Sequence, residues 1–125
     1  MEPLKIEKGI DTPEIILDAQ NNIFAMQGRS YPEDTREFFT PILNWVDDYI
    51  QSPNEETIFT FNLQYFNSSS YKPIFDILNK LETVKEKGKV VKVNWQYKKG
   101  DRDMREAGEE FAELCAKIEF SFHEL

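Results

Sequence analysis

Three consecutive hydroxyls, Ser68-Ser69-Ser70, are the residues of this chain best placed to do chemistry. They follow the alternating run Thr57 to Phe66 and precede an amphipathic one. They therefore stand where a strand hands over to a helix. A helix N-terminus presents unpaired N–H groups and the positive end of the macrodipole, and so accepts an anion, including a phosphate ester on serine. The plainest use of such residues is capping, with Ser69 or Ser70 as N-cap and Pro73 tolerated in the first turn. A cap needs one hydroxyl, which leaves others free. A phosphate on one would add roughly −1.5 to −2 charge and three acceptor oxygens.

Other chemistries fare worse. A serine nucleophile would need a base, yet no Gly-x-Ser-x-Gly elbow is present and the only histidine is His123. One cysteine, Cys115, and one histidine make no zinc pattern and no internal disulfide. No metal site and no cofactor are expected. Asp47-Asp48 and Glu109-Glu110 read as solvated helix faces, Cys115 as inert core, and His123 as a surface residue. The five glycines are scattered and form no phosphate-binding loop.

A second segment, Gly28-Arg29-Ser30-Tyr31-Pro32-Glu33-Asp34, reads in two ways. It is a strand-to-helix turn, in which Gly28 permits unusual dihedrals, Pro32 stiffens the loop, and Glu33 and Asp34 suit a helix start. It is equally a binding loop, because Arg29 and Tyr31 are residue types that anchor interfaces. Local sequence does not separate the two.

The elements that must position these groups follow from periodicity. Glu14 to Asp18 and Asn22 to Gln27, joined by an asparagine turn, predict a β-hairpin. Asp34 to Gln51 carries Phe38, Ile42, Trp45, Val46 and Tyr49 at helical spacing; Pro41 either kinks that helix or starts it behind a Thr40 cap. In Thr57 to Phe66, Phe59, Phe61, Leu63 and Tyr65 alternate with polar residues. Ser70 to Lys87 predicts the next helix, ended by Gly88. Lys89 to Tyr97 alternates again. Asp101 to Cys115 predicts a third helix and Lys117 to His123 a last strand.

The expected fold is α/β, one domain over residues 1–125, with the order β-β-α-β-α-β-α-β and a mixed sheet. Helical crossovers imply largely parallel pairing of the later strands. A parallel sheet covered on both faces has nearly continuous apolar strands, and these alternate instead. The helices are therefore expected mainly on one face. The other face stays polar, with Asn62, Gln64, Lys92, Asn94, Gln96 and Glu119.

Composition narrows the function. The 125 residues are 40% hydrophobic and 14% aromatic, enough for one core. A net charge of −8 argues against nucleic acid and against anionic membrane surfaces. No signal peptide and no membrane-spanning stretch are apparent, so a soluble cytoplasmic protein is expected.

Four segments together, Gly28-Arg29-Ser30-Tyr31-Pro32-Glu33, Asn44-Trp45-Val46, Tyr65-Phe66-Asn67-Ser68-Ser69-Ser70 and Val93-Asn94-Trp95-Gln96-Tyr97, resemble the SiaC family of bacterial regulatory phosphoproteins. The order and spacing match over nearly the whole chain. The resemblance implies a small domain similar to STAS domains, the anti-sigma factor antagonists. It implies a non-enzymatic phospho-switch adaptor whose modified residue is the first hydroxyl after Asn67, here Ser68, where the best-studied family members carry threonine.

Asn67, Ser69 and Ser70 would shape the switch loop, with Ser69 the fallback modification site. Arg29, Tyr31 and Glu33 are the candidates for the partner surface, because the hairpin exit is expected at the sheet edge. The implied partners are a diguanylate cyclase with a GGDEF domain, a serine/threonine kinase of the anti-sigma type and a PP2C-like phosphatase. In the family the unphosphorylated form binds the cyclase and promotes cyclic-di-GMP synthesis and with it aggregation or biofilm formation. Phosphorylation blocks that binding. Three rival readings are an anti-sigma factor antagonist that controls transcription, a ligand-binding module using the polar sheet face, and a small hydrolase with Ser68 as nucleophile.

Overall fold

A computed structural model describes all 125 residues. Its elements are β1 (Leu4–Ile6), β2 (Glu14–Asp18), β3 (Ile23–Ser30), α1 (Thr35–Tyr49), β4 (Glu56–Phe66), α2 (Ser68–Glu86), β5 (Val90–Tyr97), α3 (Arg102–Leu114) and β6 (Glu119–Glu124). The expected order is present with one strand more, β1. Three residues are too few to show a period of two in the sequence. Their conformation is set by antiparallel pairing with β2, through Leu4↔Leu17 and Ile6↔Ile15.

The six strands lie side by side in chain order, β1-β2-β3-β4-β5-β6. The hairpin β2–β3 is antiparallel, and β3–β4, β4–β5 and β5–β6 are parallel, each joined by a helix. β3 is thus an inner strand. The hairpin exit leaves the C-terminal rim of the sheet centre, not a lateral edge, because α1 carries the chain across to β4 beside it.

The alternation marks the two faces. Phe59, Phe61 and Leu63 of β4 and Val91, Val93 and Trp95 of β5 are buried, whereas Thr60, Asn62, Lys92, Asn94 and Gln96 between them are half-buried. The buried set packs with Ile42 and Val46 of α1, Ile74, Ile77, Leu78 and Leu81 of α2, and Phe111 of α3 in one core cluster. The helices cover one face, as the pattern predicts. On the open face the register aligns Gln27, Asn62, Gln96 and His123 in one row, and Ala25, Thr60, Asn94 and Ser121 in the next.

Two local points differ from the sequence reading. α1 runs through Pro41 without a break and is capped by Asp34, whose carboxylate accepts from Glu37 N at 3.0 Å. Thr40 is not a cap; its hydroxyl donates to the Arg36 carbonyl at 2.6 Å. Phe39, one residue on from Phe38, is the fully buried one of that pair.

The third helix is fitted to the sheet by its glycine. Trp95 is fully buried and donates its indole N–H to Met104 O at 2.9 Å. A Cβ on Gly108 would lie 2.4 Å from Trp95 Cδ1, so only glycine admits the indole there. Cys115 is buried as expected, and burial pushes its thiol up to about 11.

Candidate functional site at the β3 and β4 rim

Strand β4 carries one residue more than β3 near its end. Gly28 pairs with Leu63, and Arg29 pairs with Tyr65, so Gln64 is the inserted residue. Such a bulge reverses which face the following side chains take. Phe66 then turns to the helix side, 6.2 Å from the Phe111 ring, and Tyr65 turns outward, 44% exposed. The simple alternation had placed Tyr65 with the buried residues. The sequence marks the irregularity only at Gly28, whose φ of 120° suits glycine.

The bulge assembles an exposed cluster. Arg29 stands over both the Tyr31 and Tyr65 rings, at 5.3 and 5.4 Å, and the two rings meet edge to face at 5.7 Å. A cation held over aromatic faces gains about 0.5–1 kcal/mol at exposed sites. No carboxylate pairs with Arg29. Tyr65 is the member that sequence reading missed as a surface residue. Glu33 lies apart from this cluster. It borders an open groove of about 840 Å³ with Thr12, Asp34 and Glu37 at the start of α1.

Two residues beyond Phe66, α2 begins. Its N-cap is Asn67, not Ser69 or Ser70: the Asn67 carboxamide oxygen accepts from Ser70 N at 3.1 Å. Asparagine caps as well as serine does, so the helix starts two residues earlier than expected. The same oxygen accepts from Ser69 Oγ at 3.0 Å and Ser70 Oγ at 2.9 Å. Asn67 N donates to Ser30 O at 3.0 Å, which ties the cap to β3.

The three serines differ sharply. Ser70 is fully buried, and its hydroxyl lies 2.9 Å from Ser30 Oγ and 3.1 Å from Ser30 O. Ser69 is exposed, but its hydroxyl is held by Thr35 Oγ1 at 2.8 Å as well as by Asn67. Ser68 is exposed, and its hydroxyl bonds nothing in the chain. No acidic side chain occupies the first turn of α2, so the positive helix end is uncompensated there.

The hydrolase reading loses its geometry. His123 lies on β6, paired with Gln96 and two strands from β4, and makes no hydrogen bond to Ser68. No group of three His, Cys, Asp or Glu side chains is placed to hold a metal ion. No helix is long and apolar enough to cross a membrane.

Comparison with known proteins bears on the fold and the family. An uncharacterized protein of Pseudomonas aeruginosa strain UCBPP-PA14 is 34% identical over 116 residues, spanning 93% of this chain and 92% of that one. The structure is similar to apo-SiaC of Pseudomonas aeruginosa, with a TM-score of 0.86 and 32% identity over 98% of this chain and 99% of that one. It is also similar to SiaC from Pseudomonas aeruginosa solved in complex with the diguanylate cyclase SiaD, of which SiaC is the activator. There the TM-score is 0.90 and the identity 33%, over 98% and 99% of the two chains. Residues 6–125 match the profile of the SiaC family regulatory phosphoproteins. The chain belongs to the SiaC family.

Proposed function

We propose that this chain is a non-enzymatic activator of a diguanylate cyclase, switched off by phosphorylation of Ser68. The cyclase part is supported by the family and by the partner that Pseudomonas aeruginosa SiaC takes. The observation that supports Ser68 is its hydroxyl, which alone among the three serines is both exposed and unbonded. A kinase of the anti-sigma type can reach it without breaking an internal bond. A PP2C-like phosphatase can reach it equally well.

The phosphate suits the folded domain. It would sit in the first turn of α2, where the helix end favours an anion and no carboxylate competes. It therefore leaves the fold intact and changes the surface. To move a partner from mostly bound to mostly free takes about 5.5 kcal/mol of difference between states. A dianion carried into a desolvated interface supplies an effect of that order.

Co-purification of the cyclase with wild type, Ser68→Ala and Ser68→Asp tests the reading. The first two retain the cyclase and the third loses it. Equal retention by all three overturns the switch at Ser68. If Ser69 is the modified residue instead, mass spectrometry after kinase treatment places the phosphate there in the Ser68→Ala chain and also in wild type.

A further inference from the structure

Two grooves flank the start of α1, and they differ in charge. The groove that Glu33 borders also holds Asp34 and Glu37, and no cation. The other, of about 640 Å³, runs between α1 and α2 beside the serine run. Ser69, Lys72 and Asp76 of α2 border it, as do Thr35 and Arg36 of α1. The start of α1 thus sends its carboxylates to one groove and its arginine to the other. In a chain of net charge −8, the cleft beside the serines holds two cations and one carboxylate.

Lys72 is only loosely held there. Its ammonium meets the Asp76 carboxylate, one turn further along α2, at 3.1 and 3.2 Å, and its side chain is 82% exposed. Such a pair contributes little, because water screens it and a long side chain must be kept in one place. The order is also the poorer one, since an anion N-terminal to a lysine at i, i+4 does better than one C-terminal to it. Ser68 occupies that better position, four residues before Lys72 in the same helix. A phosphate on it brings roughly −1.5 to −2 charge and three acceptor oxygens, against the single charge of Asp76. Arg36 is exposed and has no carboxylate partner, so Asp76 without Lys72 still borders a cleft that holds a cation.

We propose that phosphorylation of Ser68 makes Lys72 change partners: its ammonium leaves Asp76 and holds the phosphate. Asp76 is left to the Arg36 side of the cleft. The modification then alters two places on the surface, the start of α2 and the cleft between α1 and α2. It also gives the phosphate a fixed seat on its own helix. This inference rests on the reading of Ser68 as the modified residue and names the group that receives its phosphate.

The test installs phosphoserine at position 68 during synthesis, so that no kinase is needed, and follows the second ionisation of the phosphate by phosphorus NMR. Thermal unfolding checks that each chain is folded. Lys72→Gln is expected to raise that pKa by about 0.3 or more, a twofold change in the proton dissociation constant, because the cation favours the dianion. Lys85→Gln removes the same charge about 25 Å along α2 and is expected to leave the pKa within about 0.1. Asp76→Asn is expected to lower the pKa while Lys72 is present and to have no effect in the Lys72→Gln chain. An equal effect in both chains means that the carboxylate acts on the phosphate directly, which overturns the exchange. If the phosphate responds to Arg29→Gln and not to Lys72→Gln, the rim receives it and the proposal is overturned. Cyclase binding separates this result from the switch itself. If the phosphoserine chain loses the cyclase while Lys72→Gln leaves the ionisation unchanged, the exchange falls and the switch stands. If the phosphoserine chain binds the cyclase as the unmodified chain does, the switch falls, and the seat of the phosphate is decided by the titration alone.

Discussion

The Trp95 site under α3 and the Tyr65 site at the β4 rim use the same kinds of residues to opposite effect. At the first, an indole is fully buried, its N–H satisfied by Met104 O, and its face pressed on Gly108. At the second, two phenols and a guanidinium touch each other, lie partly in solvent and find no further partner in the chain. Aromatic side chains satisfied from within hold a fold together. The same groups left unsatisfied at a rim are available to something outside. The serines repeat the contrast over three residues, with Ser70 locked and Ser68 free.

Substitutions can break or sharpen this contrast. The largest effect on stability is expected from Gly108→Ala, which drives a methyl into Trp95. Overpacking of this kind costs on the order of 3 kcal/mol and should appear in denaturant unfolding. A loss below about 0.5 kcal/mol would mean that the indole site is slack. Next comes Ser70→Ala, which leaves Ser30 Oγ short of its buried partner and costs about 1–3 kcal/mol, whereas Ser68→Ala is expected within about 0.5 kcal/mol of wild type. Equal losses at the two positions would erase the distinction between them. Asn67→Ala removes the cap and costs about 1 kcal/mol, with the first turn of α2 exchanging amide hydrogens faster.

Cys115 gives a smaller, pH-bound effect. Burial holds its thiol raised from the ordinary 9.0 to about 11, so the folded state keeps a proton that the unfolded state releases. The stability this contributes is complete below pH 9 and is lost as pH rises towards 11. Wild type should therefore lose stability across that window relative to Cys115→Ala, and native thiol labelling at pH 8 should proceed only as fast as unfolding. Parallel pH curves for the two chains would contradict it. Smallest in stability is Ser68→Asp, expected to gain about 0.3–1 kcal/mol from the helix dipole while losing the cyclase. A stability loss there would shift the explanation from surface charge to a disturbed fold.

Much of the fold was legible because one-sided burial leaves a period of two in β4, β5 and β6 and of 3.6 in the helices. What escaped were features decided by neighbours rather than by local pattern. β1 is a strand because β2 offers it an edge. Tyr65 faces outward because β4 holds one residue more than β3, a fact that belongs to the pair of strands and is hinted at only by Gly28. The cap fell on Asn67 because capping residues adjoin one another in sequence and tertiary bonds to Ser30 select among them. Ser68 as the proposed modification site rests, in the sequence, on resemblance alone. Its exposure and its unbonded hydroxyl are independent physical support, and they divide three serines that sequence alone leaves equivalent.

The strand order has a consequence for how the molecule forms. Every strand pairs with the strand immediately before it in the chain. No pairing waits for a distant segment, so loop closure is limited to one hairpin or one helical crossover at a time. Contact order is therefore low for a largely parallel sheet, and refolding is expected to be fast for an α/β domain. The Ser30–Ser70 latch, which joins β3 to α2, can close before β5 pairs, so the rim that carries Ser68 can take shape early, with α3 and β6 added to a sheet that already exists.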